Sequence, residues 1–345
     1  GCHMNGGPLM KELALPHDSW WRNKRPLPLG SMIVQPELKS ILSNVVDAQT
    51  FSGWIKAGYK KLFASKKYMA ERRKRSLQEQ LRPLFCEQEV NLESDSAPLG
   101  NPKLNTIAIP SAFFVDPRFT KKAPSITADK SKYITALNAF KSTFIDAQVG
   151  ARATDGIDGD HAWETPVKGY SDILLVDAMV KQGLIDWEFV YDVLAIDITQ
   201  PMFSAARCGL LRYLPPTANK SWRQVFINNL QASPSTSAAT LVQYLTQAKY
   251  TAQFHQDSAQ EILTMVRSNL QNQQDMTHYV RLLAQRRIAV FNAQISQHPA
   301  GQIFEPDFRL IFPTLGLIQK DQSEQAYGGV PGQFWVNPTN AKVEL

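Results

Sequence analysis

The strongest constraint on this chain is an apolar period close to 3.6 residues that recurs along most of its length. Val280, Ala284, Ile288, Phe291 and Ile295 follow one another at steps of three or four, which places them in a single stripe on a helix. Arg281, Gln285 and Asn292 fall on the opposite side, and Asp275 stands at the start, where the helix dipole favours negative charge. The same pattern predicts helices over residues 36–48, 53–63, 66–82, 130–148, 172–182, 187–196, 204–213, 222–231, 238–254 and 259–271. Ser171, Asp186, Ser204 and Ser221 each precede an apolar-periodic run and are expected N-caps, because their side-chain oxygens can accept an otherwise unpaired backbone N–H. Gly183 is expected to close the helix that Ser171 opens. The fold class expected is therefore mainly α.

Two stretches interrupt the period. Residues 91–125 contain five prolines and no helical repeat, which predicts an extended connector with a short strand at Thr106–Ile109. Residues from Pro299 onward, with Pro306, Pro313 and Pro338 and the run GGVPG, predict irregular structure. The expected organisation is a small basic helical unit at 1–90, the connector at 91–125, a larger helical unit at 126–298 and an irregular tail at 299–345. No fixed-period repeat supports a solenoid.

Composition removes several classes. With 43% hydrophobic and 20% charged residues, the 345-residue chain has enough apolar surface to bury a core, so disorder is not expected. Its apolar stretches are broken every few residues by Asp, Lys or Glu, so none offers the roughly 18 to 20 apolar residues a bilayer span needs. No charged flank, apolar run and cleavage site opens the sequence, so an export signal, if the protein has one, is expected to have been removed or to lie upstream. Three cysteines, Cys2, Cys86 and Cys208, are too few for a disulfide framework and do not show structural-zinc spacing. Cys86 and Cys208 can pair in an oxidising compartment if the fold brings them within reach.

The net charge of +6 is unevenly placed. Residues 1–86 hold fifteen Lys or Arg against six acids, whereas the remainder is slightly acidic. A surplus of this kind points to an anionic partner for the N-terminal quarter.

Gly1-Cys2-His3, followed by MNGGPLMKELALPHDSWW, resembles the second half of the C-x-x-C-H haem-attachment motif of c-type cytochromes, whose first cysteine would lie two positions upstream of Gly1. In that motif two thiols add across the haem vinyl groups, and the adjacent histidine is thereby placed at the iron. The resemblance implies that Cys2 is a thioether cysteine, that His3 is an axial iron ligand and that the cofactor is haem c. It further implies an exported, periplasmic electron-transfer protein rather than a catalyst. A sixth ligand would come from Met10, Met32 or Met69. Met32, in the Pro/Gly-flanked loop PLGSMIVQP, is the choice that fits the loops carrying axial methionine in small cytochromes. The other reading of the same residues is a tag remnant, since Gly1-Cys2-His3-Met4 differs by one residue from Gly-Ser-His-Met.

Between residues 56 and 75, Lys56, Lys60, Lys61, Lys66, Lys67, Arg72, Arg73, Lys74 and Arg75 are opposed only by Glu71. They form a candidate docking face for an acidic redox protein or an anionic membrane surface, with a plain solvated helix face as the alternative. Nucleic acid has the least support, because no zinc finger, helix-turn-helix or RNP-type aromatic motif accompanies the basic run. In residues 154–164, Asp155, Asp158, Asp160 and Glu164 are grouped with His161 and two glycines. Calcium is one reading of this loop. The spacing does not fit an EF-hand, and carboxylates capping their own turns are the preferred account. His161 is the candidate general base should the chain be an enzyme. His17, His255, His278 and His298 are expected to be structural or exposed, His255 near a helix C-terminus. Serine-nucleophile elbows, phosphate loops and H-E-x-x-H are absent. Two readings result: an exported haem c protein of electron transfer, or a non-catalytic helical binding protein that docks an anionic partner.

Overall fold

The computed structural model describes residues 48–86, 90–94, 105–109, 111–120, 126–139, 164–201, 204–281 and 335–344. These residues are mainly helical. In chain order they form α1 (Ala48–Ala64), α2 (Lys66–Arg73), α3 (Leu77–Phe85), β1 (Val90–Ser94), β2 (Thr106–Ile109), β3 (Ile126–Asp129), α4 (Lys130–Ala139), β4 (Glu164–Lys168) and α5 (Tyr170–Lys181). There follow α6 (Trp187–Ala195), α7 (Ala205–Gly209), α8 (Trp222–Gln231), α9 (Thr236–Thr246) and α10 (Ala252–Asn269). A helix α11 covers residues 273–281, and the short strands β5 (Trp335–Val336) and β6 (Val343–Glu344) come last. The strands form three separate antiparallel pairs, β1 with β4, β2 with β3 and β5 with β6.

α3 sits at the centre of the main core. Leu77, Leu81, Leu84 and Phe85 are fully buried, and the Phe85 ring meets Phe189 of α6 at 6.2 Å and Phe226 of α8 at 6.0 Å, both edge-on. Edge-to-face contact sets the positive rim of one ring against the negative face of the next. Val176, Val193, Leu230, Leu241, Leu263 and Val280 extend the same buried cluster through α5, α6, α8, α9, α10 and α11. Phe114 and Phe119, within the proline-rich stretch, and Ile126, just after it, belong to it too, so this core includes described residues before, within and after that stretch. A second cluster joins Tyr59, Phe63 and Met69 to Leu175 and Ala178. α5 links the two, because its Leu175/Ala178 face packs on α1 and α2 while its Val176/Met179 face enters the main core.

Caps explain where helices stop. Asp186 and Ser204 cap as expected, accepting from the Phe189 and Arg207 N–H at 2.8 and 3.0 Å. Gly183 has φ 71°, a left-handed conformation that costs glycine little, and the Gly183 and Leu184 N–H groups close the end of α5 on Val180 and Met179. Ser171 is not the cap of α5. Gly169 occupies that position, and Ser171 is buried as the second residue of the helix. Ser221 stands at the N-cap of α8, but its hydroxyl donates to the Asn219 side-chain Oδ1 at 3.1 Å instead of accepting from a helix N–H.

The expected helix over 66–82 is two helices. Ser76 and Glu79 form a reciprocal capping box, which starts α3 afresh. The expected helix over 238–254 likewise ends at Thr246, and α10 begins at Ala252 because Thr251 caps it through the Phe254 N–H at 3.2 Å. Glu188 Oε2 adds a second acceptor there, for the Ala252 N–H at 3.1 Å. His255 therefore lies in the first turn of α10 and not near a helix C-terminus.

Cys86 and Cys208 form a disulfide, with Cα atoms 4.4 Å apart and 122 residues separating them in sequence. The strand expected at Thr106–Ile109 is present and pairs with Ile126–Asp129. No described helix is long and apolar enough to cross a membrane.

Candidate functional site

α1 and α2 carry the basic residues. Ser65 ends one helix and caps the next, accepting from the Tyr68 N–H, so the two meet in a tight corner. Tyr59 stacks on Phe63 at 6.1 Å, and Phe63 meets Tyr68 edge-on at 5.5 Å. This packing turns the apolar seam inward and leaves the lysines outside. Lys60, Lys61, Lys66, Lys67, Arg73, Lys74 and Arg75 are exposed. Lys56 is half-buried, its Nζ 6.0 Å from the Tyr170 ring centroid.

Arg72 departs from the expected face. It is 4% exposed and lies three residues after Met69 on the buried side of α2. Burial holds its guanidinium below the usual arginine range, although the nearby Asp172 and Tyr68 oppose that shift. Eight of the nine cations expected in a docking face are thus exposed or half-buried. Glu71 forms an ion pair with Lys74 at 2.7 Å, and Glu79 is occupied by its capping box. A surface with an excess of exposed cations attracts anions over a Debye length of about 8 Å at physiological salt.

A second polar constellation lies in the helical core. His255 Nε2 and Asp192 Oδ1 are 3.0 Å apart, with the residues 1% and 4% exposed. Tyr244 meets the imidazole edge-on at 4.8 Å, and Tyr250 stacks on it at 6.4 Å. Burial pushes the Tyr244 hydroxyl above the usual tyrosine range, and Tyr250 and Asp192 add to the effect. His255 and Tyr244 border a cavity of about 560 Å³ together with Asp197, Ser258 and Glu261. A His–Asp pair is chemically able to move a proton, but the Ser258 hydroxyl donates back to the Phe254 carbonyl at 3.0 Å in the manner of a helix serine. The pair therefore satisfies itself in the core and activates no described nucleophile. Asp192 interrupts the apolar run FVYDVLA, which was the signal available in the sequence.

Cys2, His3, Met10, His17 and Met32 lie outside the described residues, as do Asp155, Asp158, Asp160, His161 and His298. Glu164 is described as the first residue of β4, paired with Ser94. Met69 is buried in the small cluster among Tyr59 and Phe63. His278 Nδ1 accepts from Arg281 at 2.8 Å. Among the described residues no group of three His, Cys, Asp or Glu is placed to hold a metal ion. The chain matches no protein-family model, no curated protein and no solved structure.

Proposed function

We propose that this chain is an exported haem c protein of electron transfer that meets an acidic redox partner or an anionic membrane surface through α1 and α2. The observation that carries the reading is Cys2 beside His3, the order that thioether attachment and axial ligation require. The Cys86–Cys208 disulfide supports export, since structural disulfides persist in oxidising compartments. Met32 is the proposed sixth ligand. The protein's contribution would be to hold the ligands and to present its exposed cations to the partner. The experiment is an absorption spectrum of the protein produced with its upstream coding sequence in a host competent for haem attachment. A Soret band, a sharp reduced α band and haem that stays with the chain through acid–acetone extraction are expected. A colourless product, with a cysteine present two positions upstream of Gly1, overturns the reading.

One observation favours a second reading, a non-catalytic helical binding protein: among the described residues most of the basic face is exposed, and Glu71 pairs with Lys74 alone. Its test is retention on anionic vesicles by the haem-free protein, falling steeply as salt is raised.

A further inference from the structure

Positive charge is also turned inward, where α2, α5 and the segment 218–222 border a cavity of about 460 Å³. Arg72 lines this cavity at 4% exposure, and its Nη1 has no hydrogen-bond partner among the described residues. Arg82 is buried as well, with its Nε lacking a partner among the described residues. Asp172 acts on both guanidinium groups, Glu79 acts on Arg82 and a hydrogen bond with Tyr68 favours the charged form of Arg72, while Arg75 repels both. A guanidinium cannot shed its proton in a protein, so the excess charge stays in place.

The cavity wall continues this bias. Arg73, steadied by donating from Nε to Gln182 Oε1 at 3.1 Å, and Lys220 are its other cations. Asn219 adds a polar group, Met69 and Met179 add apolar surface, and no described Asp or Glu lines it. The volume falls within the roughly 300–1,000 Å³ of small-molecule clefts. A cavity lined by Arg72, Arg73 and Lys220 together with apolar surface, and by no described acid, is complementary to an anionic oxygen group on a small body.

We propose that this cavity binds a small oxyanion ligand, a phosphate or carboxylate with a short apolar portion, anchored by Arg72 and steered by Arg73 and Lys220. The site is independent of the haem reading and distinct from the outward-facing lysines of α1 and α2.

Calorimetric titration of the full chain with inorganic phosphate and with butyrate, at fixed ionic strength against chloride, tests it. Saturable one-site binding of either probe supports the proposal, and the better probe identifies the headgroup. Lys220→Ala and Arg73→Ala should each weaken binding about fivefold, the scale of one partly exposed charge-assisted contact. Arg72→Met should abolish binding, and the two rim variants decide the matter if that variant does not fold. Lys249→Ala, at a surface cation that does not line the cavity, should leave affinity unchanged. Equal heats for phosphate, butyrate and chloride, or an equal loss in Lys249→Ala and Lys220→Ala, would overturn it.

Discussion

Arg207 donates from Nε to the Phe85 carbonyl at 3.4 Å, so a fully buried guanidinium closes the C-terminal end of α3. Nη1 donates to Ile196, the C-cap residue of α6, at 3.2 Å, and Nη2 to Gln200 at 3.2 Å. The ends of two helices, where carbonyls lack intrahelical partners and the dipole is negative, thus share one planar cation. Replacing it by methionine should cost about 3–5 kcal/mol, because a buried network loses its donor at three carbonyls. Arg207→Lys should recover little of this, since a single ammonium cannot reproduce the fork. Urea unfolding of the two variants measures both.

The neighbouring residue, Cys208, carries the second tie to the same helix end. Both sulfur-bearing residues are buried, at 0% and 2% exposure, so reductant should not reach the bond in the native protein. Thiol titration is expected to detect no Cys86 or Cys208 thiol after native reduction and both after reduction in denaturant. Closing a loop of 122 residues restricts the unfolded chain by an amount worth about 5 kcal/mol in the chain-entropy account. Cys86→Ser/Cys208→Ser should lower the denaturant midpoint by a large part of that, and an unchanged midpoint would show that the unfolded chain is not restricted in this way.

How far the sequence carried the fold depends on what decides each element. α8 runs over Trp222–Gln231, as its apolar period predicts, because an amphipathic run bounded by polar loops is decided locally. The break before α3 was hidden by phase: Met69, Leu77 and Leu81 continue one stripe at steps of eight and four, and the S-x-x-E box at Ser76–Glu79 has to be weighed against it. Arg72 is marked by its position three residues after Met69, yet a run of basic residues does not reveal which member turns inward. His255 and Asp192 lie 63 residues apart, and their pairing exists only once α6 and α10 pack. The Cys86–Cys208 pairing depends on tertiary structure in the same way. The residues on which the haem reading rests were legible as a motif and lie outside the described structure.

Acid should weaken the start of α6. Burial tends to raise the Asp186 carboxyl, but hydrogen bonds from Arg223 at 2.8 Å and from the Phe189 N–H outweigh it and hold it below the ordinary aspartate value. A depressed carboxyl contributes stability that is present above the unfolded value, about 3.9, and is lost as pH falls through the lower folded value. Because the Asp186 side chain is 54% exposed, solvent screens the ion pair and the effect should be small. Asp186→Asn keeps a capping oxygen and removes the titration, so its stability should fall less than the wild type's between pH 5 and pH 2. Parallel losses would show that Asp186 is not the group responsible.

The Asp192–His255 pair makes a sharper prediction, because both partners are buried and each satisfies the other. Asp192→Leu should cost about 1–3 kcal/mol, the penalty for leaving the imidazole nitrogen without its partner among the apolar surfaces of α6, α9 and α10. His255→Leu should cost a similar amount by stranding the carboxylate. The double variant replaces both polar groups by apolar ones, so its cost should be well below the sum of the singles. Urea unfolding of the four proteins in this cycle measures the coupling. Additive losses would mean that the two side chains are satisfied by other groups, and the 3.0 Å contact would then be incidental to stability.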